Sequence, residues 1–517
     1  MCSRDGIFRT CLRGIYSCSW KRSIGTNQKC ACCWFSFLSL VTILTLGWIY
    51  ICFVAYNDRD DVNWKAYTFL SVWVNWFMIV VILSAVLAIY SLLILIFSLV
   101  HISIKEPLSL HWLHKVFLFV GLVIAALGVG GMSFNWKEEW STVWLSLQAT
   151  APFLHLAAVV ALTIISWLVF QSYYRARKTV SKLFIIGVFM AVLLAVFLSP
   201  LLIRSPCLTD TLPTKPRLVG HRGSPMQAPE NTLMSFRKSV ECNVVAFETD
   251  VQLSKDNVPF LMHDQGKRFL ERTTNVKDVF PNRMYNTSSD FTWEDLQKLN
   301  AGEWFVKTNP FWPGSFLSEN DAYLARNQSI LSLKELLDVA KEHNIFIIFD
   351  LKNENDDCNS TVKTILNSKI PQNLIWWLPS KCRADVKNQA PGFLQVYSEY
   401  PSKEIFLNIK YNARSTEEIR NLTSHNVKVN LWVVNERWLF SLLWCAGASS
   451  VTTNTCHVFK DMSQPDWHLA PYVYRIIWIT ADVVSLLVMF ILFFIQGKAR
   501  NQIFVLESER TVPLLNF

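Results

Sequence analysis

Acid–base and phosphate-binding residue types follow two short apolar runs in the second half of the chain. The run 218–220 leads into His221 and Arg222, and the run 258–262 leads into His263. A histidine suits proton transfer because its ordinary pKa is close to neutrality. An arginine suits a bidentate grip on a phosphate group. These residues therefore predict proton transfer beside a bound phosphate, with His221 and Arg222 at the strand end.

Carboxylates follow two further apolar runs. Glu248 and Asp250 are two residues apart, so on a β-strand both side chains lie on one face. Two carboxylates on one face repel unless a cation lies between them, and oxygen-only ligation suits a hard ion such as Mg²⁺ or Ca²⁺. Asp350 is predicted to complete this ligand set, and Lys352 to neutralise a phosphate oxygen. His263 is either a second acid–base group or a metal ligand.

Each of these motifs is weak evidence when it stands alone. A single histidine at a strand end is more often an ordinary surface or core residue, and a lone Glu-x-Asp pair is usually a solvated strand edge. Here His-Arg, Glu-x-Asp, His-Asp and Asp-x-Lys all follow apolar runs between residues 218 and 352. This convergence within one stretch of chain predicts an active site.

The elements that must position these residues are short strands alternating with helices. We predict strands at 217–220, 246–252, 259–262, 345–351, 374–378, 406–409, 428–434 and 450–453. Helices are predicted at 231–240 and 332–342, with Asn231 as N-cap of the first. For Glu230, a role in capping or packing is favoured over contact with a substrate hydroxyl. Eight strand–helix units in about 250 residues suit an α/β fold of the TIM-type (β/α)₈ barrel class. A doubly wound open sheet shares this pattern.

The remainder of the chain is predicted to cross a membrane. Of its 517 residues, 51% are hydrophobic and 17% are charged, whereas an average soluble domain carries about 25% charged residues. Six runs are long and apolar enough to span a bilayer, at 34–55, 76–100, 116–134, 152–170, 183–203 and 476–495. The first run starts too late and is too long for a cleavable signal peptide. The barrel is therefore expected as an insertion between spans five and six.

The distribution of Lys and Arg predicts the orientation. The segment before the first run holds six basic residues against one acid, and the loop after the fourth run holds four against none. The loops after the first and third runs are acidic by comparison, with Asp58, Asp60, Asp61, Glu138 and Glu139. Both termini are thus expected in the cytosol. The predicted organisation is a cytosolic N-terminus at 1–33, five spans within 34–203, an extracytosolic domain at 204–471, a sixth span at 472–496 and a cytosolic tail at 497–517.

Other features bear on partners and compartment. The net charge of +9 arises mostly from basic residues beside apolar runs. We therefore predict membrane lipid as a partner and no nucleic-acid partner. The 21 tryptophans, including Trp73, suit interfacial belts rather than a binding cage. Cysteines crowd the N-terminus, where acylation and inert thiols are equally favoured.

Glycosylation motifs and a second group of cysteines agree with an extracytosolic domain. The four sequons of the chain begin at Asn286, Asn327, Asn359 and Asn421, all within 204–471. Six cysteines also lie in this stretch: Cys207, Cys242, Cys358, Cys382, Cys445 and Cys456. An oxidising compartment favours disulfides among them, although six cysteines allow 15 pairings and the sequence selects none.

The same motifs resemble, in their order, the signature of glycerophosphodiester phosphodiesterases. The matching runs are His221-Arg-Gly, Pro229-Glu-Asn-Thr232, Glu248-Thr-Asp-Val-Gln-Leu253, Asp256, Val258 through His263-Asp264, Arg272-Thr-Thr274 and Val429-Asn-Leu-Trp-Val-Val-Asn435. The resemblance covers about residues 216–454. A layout of six spans with the domain between the fifth and sixth resembles the mammalian six-transmembrane subfamily.

This resemblance implies a barrel fold, dependence on a divalent metal (Mg or Ca) and hydrolysis of glycerophosphodiesters to glycerol 3-phosphate and an alcohol. It also implies that His221 and His263 are the acid–base pair and that Glu248 and Asp250 bind the metal. Two positions depart from the family pattern. Asp350 stands where the family usually has Glu, and the run 447–454 ends in Asn where the family's last strand usually ends in Asp.

The predicted function is therefore metal-dependent hydrolysis of glycerophosphodiester or lipid-derived substrates at the extracytosolic face of a plasma or internal membrane, with the catalytic domain extracellular or lumenal. Two alternatives remain open. One is a phospholipase C-like cleavage of glycerophosphoinositol or lipid anchors, which would release a phosphorylated head group or a protein. The other is a non-catalytic signalling scaffold on a degenerate barrel, against which the retained histidines and carboxylates argue.

Overall fold

The computed structural model describes residues 7–20, 31–104, 106–311, 317–353, 358–399, 406–466 and 468–510. Within it the chain forms two compact units. The apolar unit comprises residues 1–53, 81–210 and 469–517, and the barrel unit comprises residues 54–80 and 211–468. The barrel unit therefore includes a segment, 54–80, that precedes most of the apolar helices in the chain, whereas the expected domain was 204–471.

Helices make up most of the first 200 residues and alternate with strands thereafter. The first seven are α1 (Ile7–Ser17), α2 (Ala31–Ala55), α3 (Arg59–Leu70), α4 (Trp76–Ser103), α5 (Trp112–Asn135), α6 (Glu139–Arg175) and α7 (Thr179–Leu198). The others are α8 (Leu233–Glu241), α9 (Lys267–Thr273), α10 (Val276–Val279), α11 (Trp293–Gln297), α12 (Glu303–Thr308), α13 (Glu319–Arg326), α14 (Leu333–His343), α15 (Cys358–Asn367), α16 (Arg383–Gln389), α17 (Thr416–Ser424), α18 (Arg437–Cys445), α19 (Cys456–Phe459) and α20 (Pro471–Arg510).

Among the described residues, six helical stretches are long and apolar enough to cross a membrane. They are Ala31–Leu70, Trp76–Ser103, Trp112–Asn135, Glu139–Arg175, Thr179–Leu202 and Pro471–Arg500. Five of them contain a predicted run, and the fifth stretch covers all but the last residue of the run 183–203, so the prediction of six apolar helices is confirmed. Large apolar side chains such as Phe119, Leu127 and Phe134 of α5 are exposed, as expected for surfaces that face lipid.

Nine strands form the sheet of the barrel unit: β1 (Arg217–His221), β2 (Ala246–Leu253), β3 (Pro259–Leu261), β4 (Phe346–Leu351), β5 (Ile375–Trp377), β6 (Leu394–Gln395), β7 (Phe406–Lys410), β8 (Lys428–Trp432) and β9 (Ser450–Thr453). Eight of them run in the order β6-β5-β4-β2-β1-β9-β8-β7, and all their pairings are parallel. A parallel bridge between Tyr397 and Leu407 joins the region of β6 to β7. The sheet is thus a nearly closed barrel of eight parallel strands, and the predicted TIM-type fold is confirmed.

Two strands differ from the predictions. The run expected as a barrel strand at 259–262 is β3, which pairs antiparallel with β2 and lies outside the barrel path. A tight turn at 254–257, with Asn257 at φ +61°, folds β3 directly back on β2. The eighth barrel strand is β6, which the sequence analysis missed because two residues carry no measurable alternation.

Local sequence determines where the barrel helices begin. Ser332 before α14 and Ser415 before α17 each accept the backbone N–H of the residue three positions later, and Glu335 and Glu418 bond back to the cap. These capping boxes satisfy amide groups that have no partner within the helix. The predicted helix 332–342 accordingly begins one residue later, at Leu333.

The barrel interior contains a buried polar network as well as apolar side chains. Asn430 Nδ2 donates to Asn408 Oδ1 at 2.7 Å and to Thr452 Oγ1 at 2.8 Å, and Ser450 donates to Asn430 Oδ1 at 2.7 Å. Because these buried groups satisfy one another, they link β7, β8 and β9 in one register.

In the part of the barrel unit that the structure describes, two disulfides have both partners assigned. One joins Cys242 to Cys456, 214 residues apart, and the other joins Cys358 to Cys382, 24 residues apart. Cys207 and Cys445, the other two cysteines predicted to pair, are disulfide-bonded as well. The first bond links the end of α8 to the start of α19, on either side of β1 in the barrel order.

Removal of the Cys242–Cys456 bond is expected to destabilise the barrel more than removal of the Cys358–Cys382 bond. A disulfide that closes a longer loop restricts the unfolded chain more. On a chain-entropy model the two bonds differ by about 2 kcal/mol in their contribution to the free energy of unfolding, and loss of a native disulfide typically costs about 2–5 kcal/mol. Thermal melting of the C242S/C456S and C358S/C382S double variants measures this order. Equal melting temperatures for the first double variant and the wild type would contradict it.

Candidate active site

The first site residues lie where β1 ends. His221 is the last residue of β1 and pairs in register with Glu248 of β2. The chain then turns sharply, with Arg222 at φ +53° and Gly223 at φ +89°. A Cβ atom at Gly223 would lie 2.5 Å from Ser235 Oγ, so only glycine fits this turn. The turn places the predicted proton-transfer and phosphate-binding groups at the C-terminal end of the barrel, where barrel enzymes carry their sites.

The environment of His221 sets its protonation. Its Nδ1 lies 2.7 Å from Asn454 Oδ1, an acceptor, so Nδ1 carries the proton and Nε2 carries the lone pair. Nε2 lies 3.8 Å from Glu248 Oε2. Burial, followed by the positive charge of Arg222, lowers the pKa of His221 well below its ordinary value. The imidazole is therefore neutral at neutral pH and able to accept a proton at Nε2.

Asp250 is the most deeply buried carboxylate of the site, with 1% of the residue exposed. Its oxygens lie 3.3 Å from Arg222 Nε and 3.1 Å from Lys352 Nζ, and Asn231 Nδ2 donates to it at 3.1 Å. Burial raises the pKa of Asp250, but the charges of His263, Arg222 and Lys352 outweigh burial and hold the pKa below its ordinary value. Asp250 is thus an ionised carboxylate that holds two cations at the barrel mouth.

Lys352 bridges two carboxylates of neighbouring strands. Asp250 and Asp350 are register partners on β2 and β4, and Lys352 Nζ lies 2.7 Å from Asp350 Oδ2. Burial alone would lower the pKa of Lys352, but the two carboxylates outweigh it and hold the pKa above its ordinary range. Lys352 is therefore fully charged, as a phosphate-neutralising residue must be. The side chain of Asp350 is 48% exposed, far more than that of Asp250.

The donor chemistry for a divalent cation is present, although the side chains pair with the protein's own cations. Glu248 and Asp250 lie on β2 and Asp350 on the adjacent β4, where Asp350 is the register partner of Asp250. Burial and then the carboxylate of Asp250 raise the pKa of Glu248 well above its ordinary value, so a positive charge beside Glu248 would relieve an unfavourable environment. Among the described residues, however, no group of three or more His, Cys, Asp or Glu side chains is arranged to hold a metal ion.

His263 contributes from the end of β3. Its Nδ1 lies 3.1 Å from Asp264 Oδ1. His221, Arg222, His263 and Asp264 all line one pocket. The structure thus brings both predicted acid–base histidines and the predicted phosphate-binding arginine to one cavity. Lys352 is connected to that cavity through Asp250.

Two residues of the run 229–232 have other roles than those predicted. The N-cap of α8 is Thr232, whose side chain accepts the Ser235 N–H, and Asn231 is not the cap. Asn231 adopts φ +55° and bonds to both Thr249 and Asp250, because its amide satisfies polar groups of β2 that burial would otherwise leave unpaired. Glu230 lies 3.3 Å from Arg222 and lines the pocket, so it belongs to the site and not only to helix packing.

Other pocket residues were not identified from the sequence as site residues. Asn454 follows β9 and bonds to His221, and Arg272 lies among aromatic rings in the pocket wall. Asp60 and Trp64 of α3 also line the pocket. Trp73, expected in an interfacial belt, has its ring 4.5 Å from the Arg272 guanidinium. The Arg272-Thr-Thr274 motif and the run that ends in Asn454 were the available signals; nothing local marks Asp60 or Trp73.

The barrel, with histidines, an arginine and carboxylates near its C-terminal end, has the residue types of a hydrolase that acts on phosphate esters. The model of the glycerophosphoryl diester phosphodiesterase family matches residues 221–377, and a second model of that family matches residues 428–455. These ranges contain both histidines and all three carboxylates of the site.

Two relatives extend the match to nearly the whole chain. Glycerophosphoinositol inositolphosphodiesterase GDPD2 of Mus musculus is 42% identical over 95% of this chain and 94% of its own length. Glycerophosphodiester phosphodiesterase domain-containing protein 5 of Homo sapiens is 40% identical over 94% of this chain and 83% of its own length. The chain belongs to the glycerophosphodiester phosphodiesterase family, which confirms the prediction of an enzyme, a phosphoric diester hydrolase.

Among solved structures, the chain is similar to a phosphodiesterase of Oleispira antarctica in complex with the product sn-glycerol 3-phosphate. The sequence identity is 22%, the TM-score is 0.39, and the match covers 47% of this chain and 95% of that one.

Proposed function

We propose that this chain hydrolyses glycerophosphodiesters to glycerol 3-phosphate and an alcohol. The observation that carries the proposal is the pocket in which His221, His263 and Arg222 lie together at the C-terminal end of the barrel. Two proton-transfer groups and a fixed cation each lower the barrier to hydrolysis of a phosphodiester. Identification of the products tests the proposal.

Arg222 and Lys352 are proposed to neutralise the phosphate. Asp250 holds both side chains, with its carboxylate oxygens 3.3 Å from Arg222 Nε and 3.1 Å from Lys352 Nζ. Substrate binding therefore does not have to order either side chain. Preorganised charges stabilise a transition state more than mobile ones, because no reorganisation accompanies the reaction. Arg222 also pairs with Glu230, which limits the guanidinium to one orientation at the pocket.

The surroundings of the two histidines assign their roles in this proposal. His221 accepts the proton of the attacking hydroxyl or water at Nε2, because Asn454 occupies Nδ1. His263, whose Nδ1 is held by Asp264 at 3.1 Å, protonates the leaving alcohol. If a hydroxyl of the substrate attacks, the cyclic phosphate that forms is opened by water in a second step. Before the next turnover His221 returns its proton to solvent and His263 takes one up.

We further propose that Glu248, Asp250 and Asp350 hold a divalent metal ion, while His263 keeps its acid–base role. A bound Mg²⁺ or Ca²⁺ would supply Lewis-acid polarisation of a phosphate oxygen. What supports this is the chemistry of the three carboxylates and the raised pKa of Glu248, which a neighbouring cation would reverse.

A second candidate reaction cleaves the other ester bond of the same phosphate. The relative from Mus musculus that is 42% identical bears the name glycerophosphoinositol inositolphosphodiesterase. Such a reaction on glycerophosphoinositol would release a phosphorylated inositol and glycerol, and not glycerol 3-phosphate and inositol. The two reactions share one phosphate site and differ in their products.

We propose that the barrel lies on the extracytosolic side of a membrane and that both termini are cytosolic. The asymmetry of Lys and Arg and the confinement of all four sequons to residues 204–471 support this orientation. The four sequon asparagines are all exposed on the barrel unit, where a glycan can be accommodated.

Glycosidase treatment of the protein from mammalian cells is expected to increase its gel mobility. Asn327 and Asn421 are expected to carry glycans, because both side chains are exposed, Asn327 at the end of α13 and Asn421 on α17. The N327Q/N421Q variant should show a smaller shift than the wild type. No shift in the wild type, together with protease access to the barrel from the cytosolic side alone, would contradict the orientation.

A further inference from the structure

The segment between α2 and α4, residues 56–75, packs on the C-terminal end of the barrel. We call it the α2–α4 segment. Asn57 Nδ2 donates to the Val433 carbonyl at 2.9 Å, and the Asn435 backbone and side-chain N–H groups donate to Asn57 at 2.8 and 3.1 Å. Asn57 is 1% exposed, so the loss of these bonds would leave buried polar groups unpaired.

Charged residues attach the same segment at a second place. Arg59 forms an ion pair with Glu436 at 3.0 Å, with 5% of the Arg59 side chain exposed. Tyr411 donates a hydrogen bond to the Asp58 carboxylate. A buried guanidinium is costly without its partner, so this ion pair keeps the segment in one position against the loop after β8.

Asp60 of the α2–α4 segment is connected to the proposed base. Asn454 Nδ2 donates to Asp60 Oδ2 at 3.4 Å, while Asn454 Oδ1 accepts from His221 Nδ1 at 2.7 Å. The backbone N–H of Asn454 also donates to Asn435, the residue that binds Asn57. The orientation of the Asn454 amide, and hence the tautomer of His221, depends on these contacts.

Aromatic residues of the segment complete the pocket wall. The guanidinium of Arg272 lies 5.1 Å from the Trp64 ring and 4.5 Å from the Trp73 ring, and on its other sides 5.0 Å from Phe269 and 4.9 Å from Trp304. Cation–π contacts of this kind hold an arginine in place. The segment thus provides two of the four rings that fix Arg272 beside the phosphate-binding residues.

We infer that the α2–α4 segment is part of the active site and that its Asp60 is a positioning residue, which acts through Asn454 to orient His221. The inference rests on the proposed function of His221. An Asp–Asn–His series of this kind keeps the imidazole in the tautomer that can accept a proton, as a carboxylate does when it bonds to a catalytic histidine directly. The barrel of this chain therefore depends on residues that precede it in the sequence by about 150 positions.

Two effects of Asp60 have opposite signs, and this distinguishes positioning from a structural role. The carboxylate supports turnover through His221, but its negative charge lies in the pocket that must bind a phosphate. Replacement by the isosteric Asn removes the charge and weakens the bond from Asn454. Turnover should therefore fall while binding of an anionic ligand becomes tighter.

The test uses the full-length protein purified in detergent, with D60N, D60E and D338N variants. For D60N we expect kcat to fall about 10- to 100-fold, as for other residues that orient a functional histidine, with a KM equal to or below that of the wild type and an unchanged melting temperature. D60E should recover part of the lost kcat. D338N makes the same substitution at an exposed position of α14, outside the α2–α4 segment, and as control it should behave as the wild type. A wild-type kcat in D60N would overturn the inference.

A double-mutant cycle locates the effect. If Asp60 acts through Asn454, D60N should lower kcat little further in an N454A background. Fully additive losses would mean that Asp60 acts by another route and would overturn the positioning role.

Binding separates this inference from the proposed function. If the wild type hydrolysed no glycerophosphodiester, the proposed function would fail. The position of Asp60 in the anion-binding pocket would still be tested by comparing the Kd of sn-glycerol 3-phosphate for D60N with that for the wild type. Tighter binding by D60N than by the wild type supports the inference, and an unchanged Kd contradicts it.

Discussion

Replacement of His221 by alanine is expected to lower kcat by about 10²- to 10⁴-fold, the range in which general acid–base groups contribute. The reason is geometric. His221 is the last residue of β1. Its Nδ1 donates a hydrogen bond to Asn454, which leaves Nε2 with a lone pair that can accept a proton in the pocket. The side chain lines the cavity and is not packed in the core, so the fold should persist. Steady-state kinetics and thermal melting of the same preparations measure both effects.

The matched control is His343, an exposed histidine at the end of α14. H343A should retain wild-type kinetics, which shows that loss of a histidine alone does not reduce activity. Wild-type turnover by H221A would remove this residue from the mechanism. Loss of turnover together with a large fall in melting temperature would instead assign His221 a role in stability.

Removal of divalent cations by a chelator is expected to abolish hydrolysis, and Mg²⁺ or Ca²⁺ is expected to restore it. E248Q keeps the shape of the side chain but removes a formal charge from the proposed ligand set. It should weaken the apparent metal affinity by at least about 10- to 100-fold, on the scale of changes around metal sites, with partial recovery of turnover at high metal concentration. Titration of activity with metal measures this shift, and calorimetric binding of the metal measures it without turnover.

Asp350 provides the comparison within the same set. D350A should have a smaller effect, because this side chain is half exposed and is already paired with Lys352 at 2.7 Å. Hydrolysis that resists the chelator would contradict the proposed metal, as would an unchanged metal dependence in D250N. Either result would favour a site in which Arg222 and Lys352 supply all the positive charge at Asp250.

The strand-end motifs could be predicted from sequence because their geometry is local. Glu248 and Asp250 share a face of β2 through the period of the strand, and parallel pairing then brings His221 and Asp350 beside them. The same locality made the six apolar helices predictable from composition. Apolar runs and the two-residue period of a strand were enough to identify the carboxylates from the sequence. The sequence alone did not show that Lys352 is paired with Asp250.

The residues that were missed are those whose roles depend on distant contacts. Asp60 was interpreted as an extracytosolic charge signal, because nothing near it in the sequence indicates a bond to Asn454, 394 residues away. Asn231 has the residue type and position of an N-cap, yet buried groups of β2 compete for its amide more strongly than the helix does. The strand β6 was also missed, because its two residues form a strand only by pairing with β5 in the folded barrel.

Identification of the products released by the purified full-length protein tests the central claim most directly. The protein would be given glycerophosphoinositol and glycerophosphocholine, with and without chelator, with H221A as the control for contaminating activity. We predict sn-glycerol 3-phosphate together with the free alcohol, in the absence of chelator and from the wild type only. Release of a phosphorylated inositol or choline with free glycerol would contradict the proposed bond cleavage, and no product from either substrate would contradict the proposed activity.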